Sequence, residues 1–99
     1  MTFEEREEII SAMLSQAKEI RKTKGVEYSA GEDINALFNS ENDIGIDNIQ
    51  AIGLFMNKHY LSIRRFIKSR DTLSEPIETR IIDLINYLLI LNTLIKIKH

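Results

Sequence analysis

The chain has 99 residues, 43% of them hydrophobic and 28% charged, with a formal net charge of −2. This size predicts one domain over residues 1–99. The absence of cysteine excludes disulfides, thiolate catalysis and sulfur-ligated metal sites. The negative charge argues against binding of long nucleic acid. With no signal peptide and no apolar stretch able to span a bilayer, we expect a cytoplasmic protein.

The first predicted helix begins at a capping box. Thr2 and Glu5 have the spacing at which a hydroxyl and a carboxylate satisfy each other's backbone amides. Apolar residues then recur at helical spacing as far as Gly25, which we expect to end the helix as its C′ residue.

A loop holding Lys24, Glu27 and Tyr28 is predicted after this helix. As a ligand site, Lys24 would meet a phosphate while Tyr28 stacks on a base and Glu27 accepts a hydrogen bond. The alternative is a routine helix end with the tyrosine in the core.

A short second helix is predicted near Ile34, followed by a polar connector over residues 39–45. Asp47 is expected to cap the third helix, which ends before Arg70.

The third helix is basic, since residues 48–70 carry five bases and no acid. Lys58, Ser62 and Arg65 fall on one face, where three donors suit phosphate or sugar oxygens. A solvated basic face explains the pattern equally well. His59 lies beside core positions and is expected to be a buried, hydrogen-bonded imidazole.

The fourth predicted helix starts at the cap Ser74, has Pro76 in its first turn and runs to about Lys96. Its residues 88–91 are apolar on every side, which is unusual for a surface helix. The sequence therefore predicts an all-α, four-helix domain that forms a homo-oligomer packed through this helix.

Three polar side chains lie on one face of this apolar helix. Arg80, Asp83 and Tyr87 fall within about 60° of one another at about 100° per residue. Each loses hydration there and needs a partner from its own chain, a second subunit or a ligand. An Arg80–Asp83 bridge along the helix is the simplest structural alternative.

The sequence contains few of the motifs that are typical of enzymes. No Ser/His/Asp order, glycine-rich phosphate loop or zinc spacing is present, so we expect no catalytic residues, metal or cofactor. The enzymatic alternative is a divergent all-α nucleotide pyrophosphohydrolase that gathers magnesium with Glu27, Glu75, Glu78 and Asp83.

Four motifs punctuate the predicted helices: Lys24-Gly25-x-Glu27-Tyr28, Asp33-x-x-x-Leu37-Phe38, Lys58-His59-x-x-Ser62-Ile63, and Ser74-x-Pro76-Ile77-x-x-Arg80-Ile81-x-Asp83-x-Ile85-Asn86-Tyr87. Together they resemble a group of small helical proteins encoded by tailed bacteriophages. More distantly, they are similar to phage nucleotide-modification-associated helical domains.

This resemblance implies a phage protein that acts on nucleotides or on host defence, working in the host cytoplasm. Site chemistry and size suggest an oligomeric protein that sequesters a cyclic-nucleotide or ADP-ribose-derived signal without cleaving it. A nucleotide-modification accessory protein is a further alternative. The expected ligand-binding residues are Lys24, Glu27, Tyr28, Lys58, His59, Ser62, Arg65, Arg80, Asp83 and Tyr87.

Overall fold

The computed structural model describes the backbone of residues 1–29, 48–71 and 75–98, and the side chains of residues 1–23, 49–71 and 75–96. Three α-helices fill these ranges: α1 (Phe3–Ser29), α2 (Asn48–Ser69) and α3 (Ile77–Lys98). The described ranges contain no strand. The all-α prediction is therefore confirmed for them, while the predicted short helix near Ile34 lies outside them.

The start of α1 follows the predicted capping box. The amide of Glu5 donates to the Thr2 hydroxyl at 3.1 Å, and the amide of Thr2 lies 3.4 Å from a Glu5 carboxylate oxygen. Two of the amides that a helix leaves unpaired at its start are satisfied in this way.

The predicted end of α1 at Gly25 is wrong, because the helix continues through Gly25 to Ser29. Glycine inside a helix costs only about 1 kcal/mol relative to alanine, which neighbouring helical hydrogen bonds offset. The expected loop with Lys24, Glu27 and Tyr28 is therefore the last part of α1.

The end of α2 is stabilised by Arg70, whose φ of 62° is in the left-handed region that usually favours glycine. Its amide donates to the Phe66 carbonyl at 2.7 Å, and its guanidinium donates to the carbonyls of Phe66 and Ile67. These bonds satisfy carbonyls that the helix leaves free and offset the backbone cost.

The structure begins α3 at Ile77, directly after Pro76, and the Thr79 amide donates to the Pro76 carbonyl at 3.1 Å. Proline suits this position because its missing N–H would be unpaired there anyway. The helix ends at Lys98, two residues beyond the predicted end, which is the usual uncertainty of a helix boundary.

The core lies mainly between α2 and α3. Ile52 and Leu94 are fully buried there and are surrounded by partly buried Ile49, Met56 and Ile90. The first helix packs less extensively, against α3, where the small side chain of Ala17 is also fully buried. None of the described helices is both long and apolar enough to cross a membrane.

Candidate functional site

Polar and aromatic residues interrupt the apolar contact between α2 and α3. Arg80, Asp83 and Tyr87 face α2, as their angular spacing predicted, and they meet His59 there. We call these four residues the polar cluster. It joins parts of the chain more than 20 residues apart, so only the packing of the two helices creates it.

His59 is the centre of the polar cluster and is only 7% exposed. Its Nδ1 lies 3.4 Å from Nη1 of Arg80 and 3.8 Å from a carboxylate oxygen of Asp83. Burial lowers the pKa of His59 below its ordinary value; Asp83 and Glu75 act to raise it, while Arg80 and Lys58 act to lower it further. Because a guanidinium only donates, the contact with Arg80 is a hydrogen bond in the neutral tautomer that carries its proton on Nε2.

Arg80 has a second partner in Glu75, just before α3. Their Nε and Oε2 atoms are 3.5 Å apart, an ion pair without hydrogen-bond geometry. The Arg80 side chain is 14% exposed and that of Glu75 is 44% exposed. The guanidinium is therefore bound by Glu75 and by His59.

Aromatic rings extend the polar cluster along α2. The Tyr87 ring stacks on His59 at 5.3 Å between centroids and on Phe55 at 6.0 Å, with only 11° between the planes of the two six-membered rings. Because Phe55 is 42% exposed, the stack reaches the protein surface. This gives the cluster an apolar, flat rim of the kind on which a nucleobase stacks.

The predicted basic face of α2 does not join the polar cluster. Lys58 is exposed, the Ser62 hydroxyl donates to the Lys58 carbonyl at 3.3 Å, and a guanidinium nitrogen of Arg65 lies 3.4 Å from a carboxylate oxygen of Asp71. Lys58 still acts on the cluster electrostatically, since its charge helps to lower the pKa of His59.

The remaining predicted ligand-binding residues, Lys24, Glu27 and Tyr28, belong to the last two turns of α1. Their side chains lie outside the described residues, so their part in a site stays a prediction.

A second buried polar contact joins α1 to α3. Nη1 of Arg21 donates to Oδ1 of Asn86 at 2.7 Å, and Asn86 is 7% exposed. The partner of Asn86 is therefore in its own chain. A polar contact at Arg21 could have been predicted from the sequence. Arg21 is four residues after Ala17 and seven after Leu14, so it lies on the same, otherwise apolar face of α1.

An open groove of about 520 Å³ lies between α1 and α3. Glu19 and Glu78 line it together with Ile20 and Ile82, so its charge does not suit a phosphorylated ligand. Within the described ranges, no three His, Asp or Glu side chains are grouped so that they hold a metal ion. The polar cluster differs from this groove because a guanidinium and stacked aromatic rings lie beside its carboxylate.

No protein-family model matches this chain, and no match is found among curated proteins or solved structures.

Proposed function

We propose that this chain is a non-enzymatic binding protein that holds a small phosphorylated, nucleotide-like ligand without cleaving it. The observation that carries the proposal is the polar cluster of His59, Arg80, Asp83 and Tyr87 inside an apolar helix contact. Replacing all members of a buried ion pair together by packed apolar side chains is often neutral or stabilising, so stability alone is a poor reason for this cluster. Binding of a ligand by these groups explains why polar residues occur inside this apolar contact.

The charges of the polar cluster indicate how such a ligand would lie. Two carboxylates, those of Asp83 and Glu75, lie beside His59 and Arg80. A carboxylate accepts hydrogen bonds from ribose hydroxyls and from an exocyclic amine, whereas it repels a phosphate. We therefore assign the nucleoside to the carboxylates and to the aromatic stack, and the phosphate to the outer end of Arg80 and to Lys58.

Sequestration also accounts for a site with several donors and acceptors but no set of catalytic residues. A protein that removes a signal by binding must release it slowly, and many directed contacts lower the rate of dissociation. We extend the proposal to a phage protein that captures a cyclic-nucleotide or ADP-ribose-derived defence signal in the host cytoplasm. The support for this extension is the motif resemblance together with the chemistry of the polar cluster.

The proposal is tested by release of an intact ligand. Purified protein is incubated with cyclic oligonucleotides or cyclic ADP-ribose isomers, free ligand is removed by filtration, and the protein is then denatured by heat. We expect intact signal to appear only after heating. Unbound signal at stoichiometric protein, or a cleaved product, would count against the proposal.

Arg80→Met and Arg64→Met form a matched pair for this assay. Both replace a guanidinium by an apolar side chain, but Arg64 is exposed and lies over the Tyr60 ring, 5.9 Å from its centroid. Capture should be lost with Arg80→Met and retained with Arg64→Met.

A second candidate is an interaction protein in which the polar cluster only fixes how α2 and α3 pair. The observation in its favour is the exposure of large apolar side chains on all three helices, among them Phe3, Leu54 and Leu88. Under this candidate Arg80→Met lowers stability and disturbs assembly, but no nucleotide binds to the unchanged protein.

A further inference from the structure

One face of α3 is an uncharged apolar stripe that lies beside the face packed on α2, and Leu91 at its edge also packs against the core. Its residues follow a 4-3-4-3-4 spacing, the heptad spacing of helices that pack along their length. At about 100° per residue they fall within an arc of about 80°. We call them the α3 stripe: Ile77, Ile81, Leu84, Leu88, Leu91 and Ile95.

Two other faces of α3 are already used. Ile82 and Asn86 are buried on the α1 side, and Leu94 is buried in the core with α2. In contrast, Leu88 is 48% exposed and Ile95 is 42% exposed. Ile77, Ile81, Leu84 and Leu91 are partly buried. A row of partly exposed leucines and isoleucines with no charge in it is typical of a surface that another helix covers.

We infer that the α3 stripe packs against the same stripe of a second copy, with the two helices antiparallel. Such a contact is self-complementary, as a two-fold dimer requires. Centred on residue 86, the pair places Leu84 opposite Leu88 of the partner subunit and Ile77 opposite Ile95 of the partner subunit. Every layer then contains only leucine and isoleucine.

Charge selects the antiparallel orientation. The start of α3 is acidic, with Glu75 and Glu78, and its described end carries the exposed Lys96. Glu78 and Lys96 are 18 residues apart, five full turns, so they flank the stripe on the same side. In an antiparallel pair each Glu78 lies beside Lys96 of the partner subunit, whereas a parallel pair brings like charges and like helix dipole ends together.

This inference rests on the homo-oligomer that is part of the proposed function, and it specifies its surface and symmetry. Its test measures association only. Failure of ligand capture would therefore not contradict the inferred dimer. Failure of dimerisation would not decide whether the polar cluster binds a nucleotide.

The first test compares Leu88→Lys with Leu89→Lys by sedimentation equilibrium. The two leucines are adjacent and similarly exposed, at 48% and 45%, but only Leu88 belongs to the α3 stripe. We expect the unchanged chain and Leu89→Lys to be dimers, and the dimer dissociation constant of Leu88→Lys to rise by at least about 100-fold, which is ~2.7 kcal/mol. Helix content by circular dichroism confirms that each variant is folded, because neither position is buried.

A monomeric unchanged chain at the concentrations used would overturn the inference, and so would equal weakening by the two variants. Orientation is tested with single cysteines, which is direct because the chain has none of its own. A mixture of Ile77→Cys and Ile95→Cys chains should form a mixed disulfide, while Ile77→Cys alone should not cross-link. Cross-linking of Ile77→Cys alone would show a parallel pair and refute the antiparallel assignment.

Discussion

Replacing Arg80 by methionine should destabilise the fold by removing a cation that lies between two partners. The side chain is 14% exposed, and it contacts Glu75 through Nε at 3.5 Å and His59 through Nη1 at 3.4 Å. The Glu75 oxygen in this pair is buried and makes no hydrogen bond among the described residues. Methionine keeps much of the packing volume but leaves that oxygen and the histidine Nδ1 without the guanidinium.

The size of the effect follows from how far the pair is buried. Breaking a fully buried ion pair costs about 3–5 kcal/mol, and an exposed pair is worth at most about 1 kcal/mol. Because Glu75 is 44% exposed, the expected loss in the free energy of unfolding is in between, at about 2 kcal/mol. For a domain of this length, this lowers Tm by roughly 8–16 °C.

The assay is urea unfolding followed by circular dichroism, at one protein concentration because dimerisation adds to apparent stability. Glu75→Gln should cost less in the Arg80→Met background than in the unchanged chain, since the two residues contact each other. Arg64→Met is the control and should cost well under 1 kcal/mol, because an exposed cation over a ring contributes about 0.5–1 kcal/mol. If Arg80→Met and Arg64→Met were equally stable, the pairing of Arg80 with Glu75 and His59 would have no energetic importance and our reasoning would be refuted.

The remaining predictions concern pH and the two buried contacts. Because burial lowers the pKa of His59 from its ordinary 6.5, the folded state binds fewer protons than the unfolded state, so this group makes stability fall as pH decreases from about 7 towards the folded pKa. Urea titrations at several pH values should show that the free energy of unfolding decreases less with falling pH in His59→Gln than in the unchanged chain. An equal dependence on pH in the two proteins would contradict this. Arg21→Met should cost about 1–3 kcal/mol by leaving the buried amide of Asn86 unsatisfied, and a thermal melt matching that of the unchanged chain would show that the 2.7 Å contact contributes nothing. Leu94→Ala should cost about 2–5 kcal/mol by opening a cavity in the core, while Leu89→Ala at a half-exposed site should cost clearly less; comparable losses in chemical denaturation would mean that the core is elsewhere.

Local signals in the sequence were sufficient to predict helix starts. The Thr2–Glu5 box and the proline at the start of α3 act through neighbouring backbone groups, and such interactions depend on a few adjacent residues. Gly25 was misleading for the same reason. Its preference for a helix end is a local effect of about 1 kcal/mol, and it does not decide whether a long helix continues.

Residues of the candidate site were predicted on both helices, but their contacts across the two helices were not. Periodicity placed Arg80, Asp83 and Tyr87 on one face of α3, and the structure shows that face meeting α2. Which residues of α2 they meet depends on the relative position of the two helices, which no spacing within one helix specifies. For this reason the sequence identified His59 as buried and listed it with Arg80 among the ligand-binding residues, but it did not specify their direct contact.

The measurement that tests the central claim most directly is native mass spectrometry of the protein purified from phage-infected or signalling cells. We predict a mass increment equal to an intact nucleotide-like molecule, which is lost with Arg80→Met and retained with Arg64→Met. Folded protein that carries no small molecule from such cells, and takes up none from a panel of cyclic and ADP-ribose-derived nucleotides, would contradict the claim that the polar cluster is a ligand site.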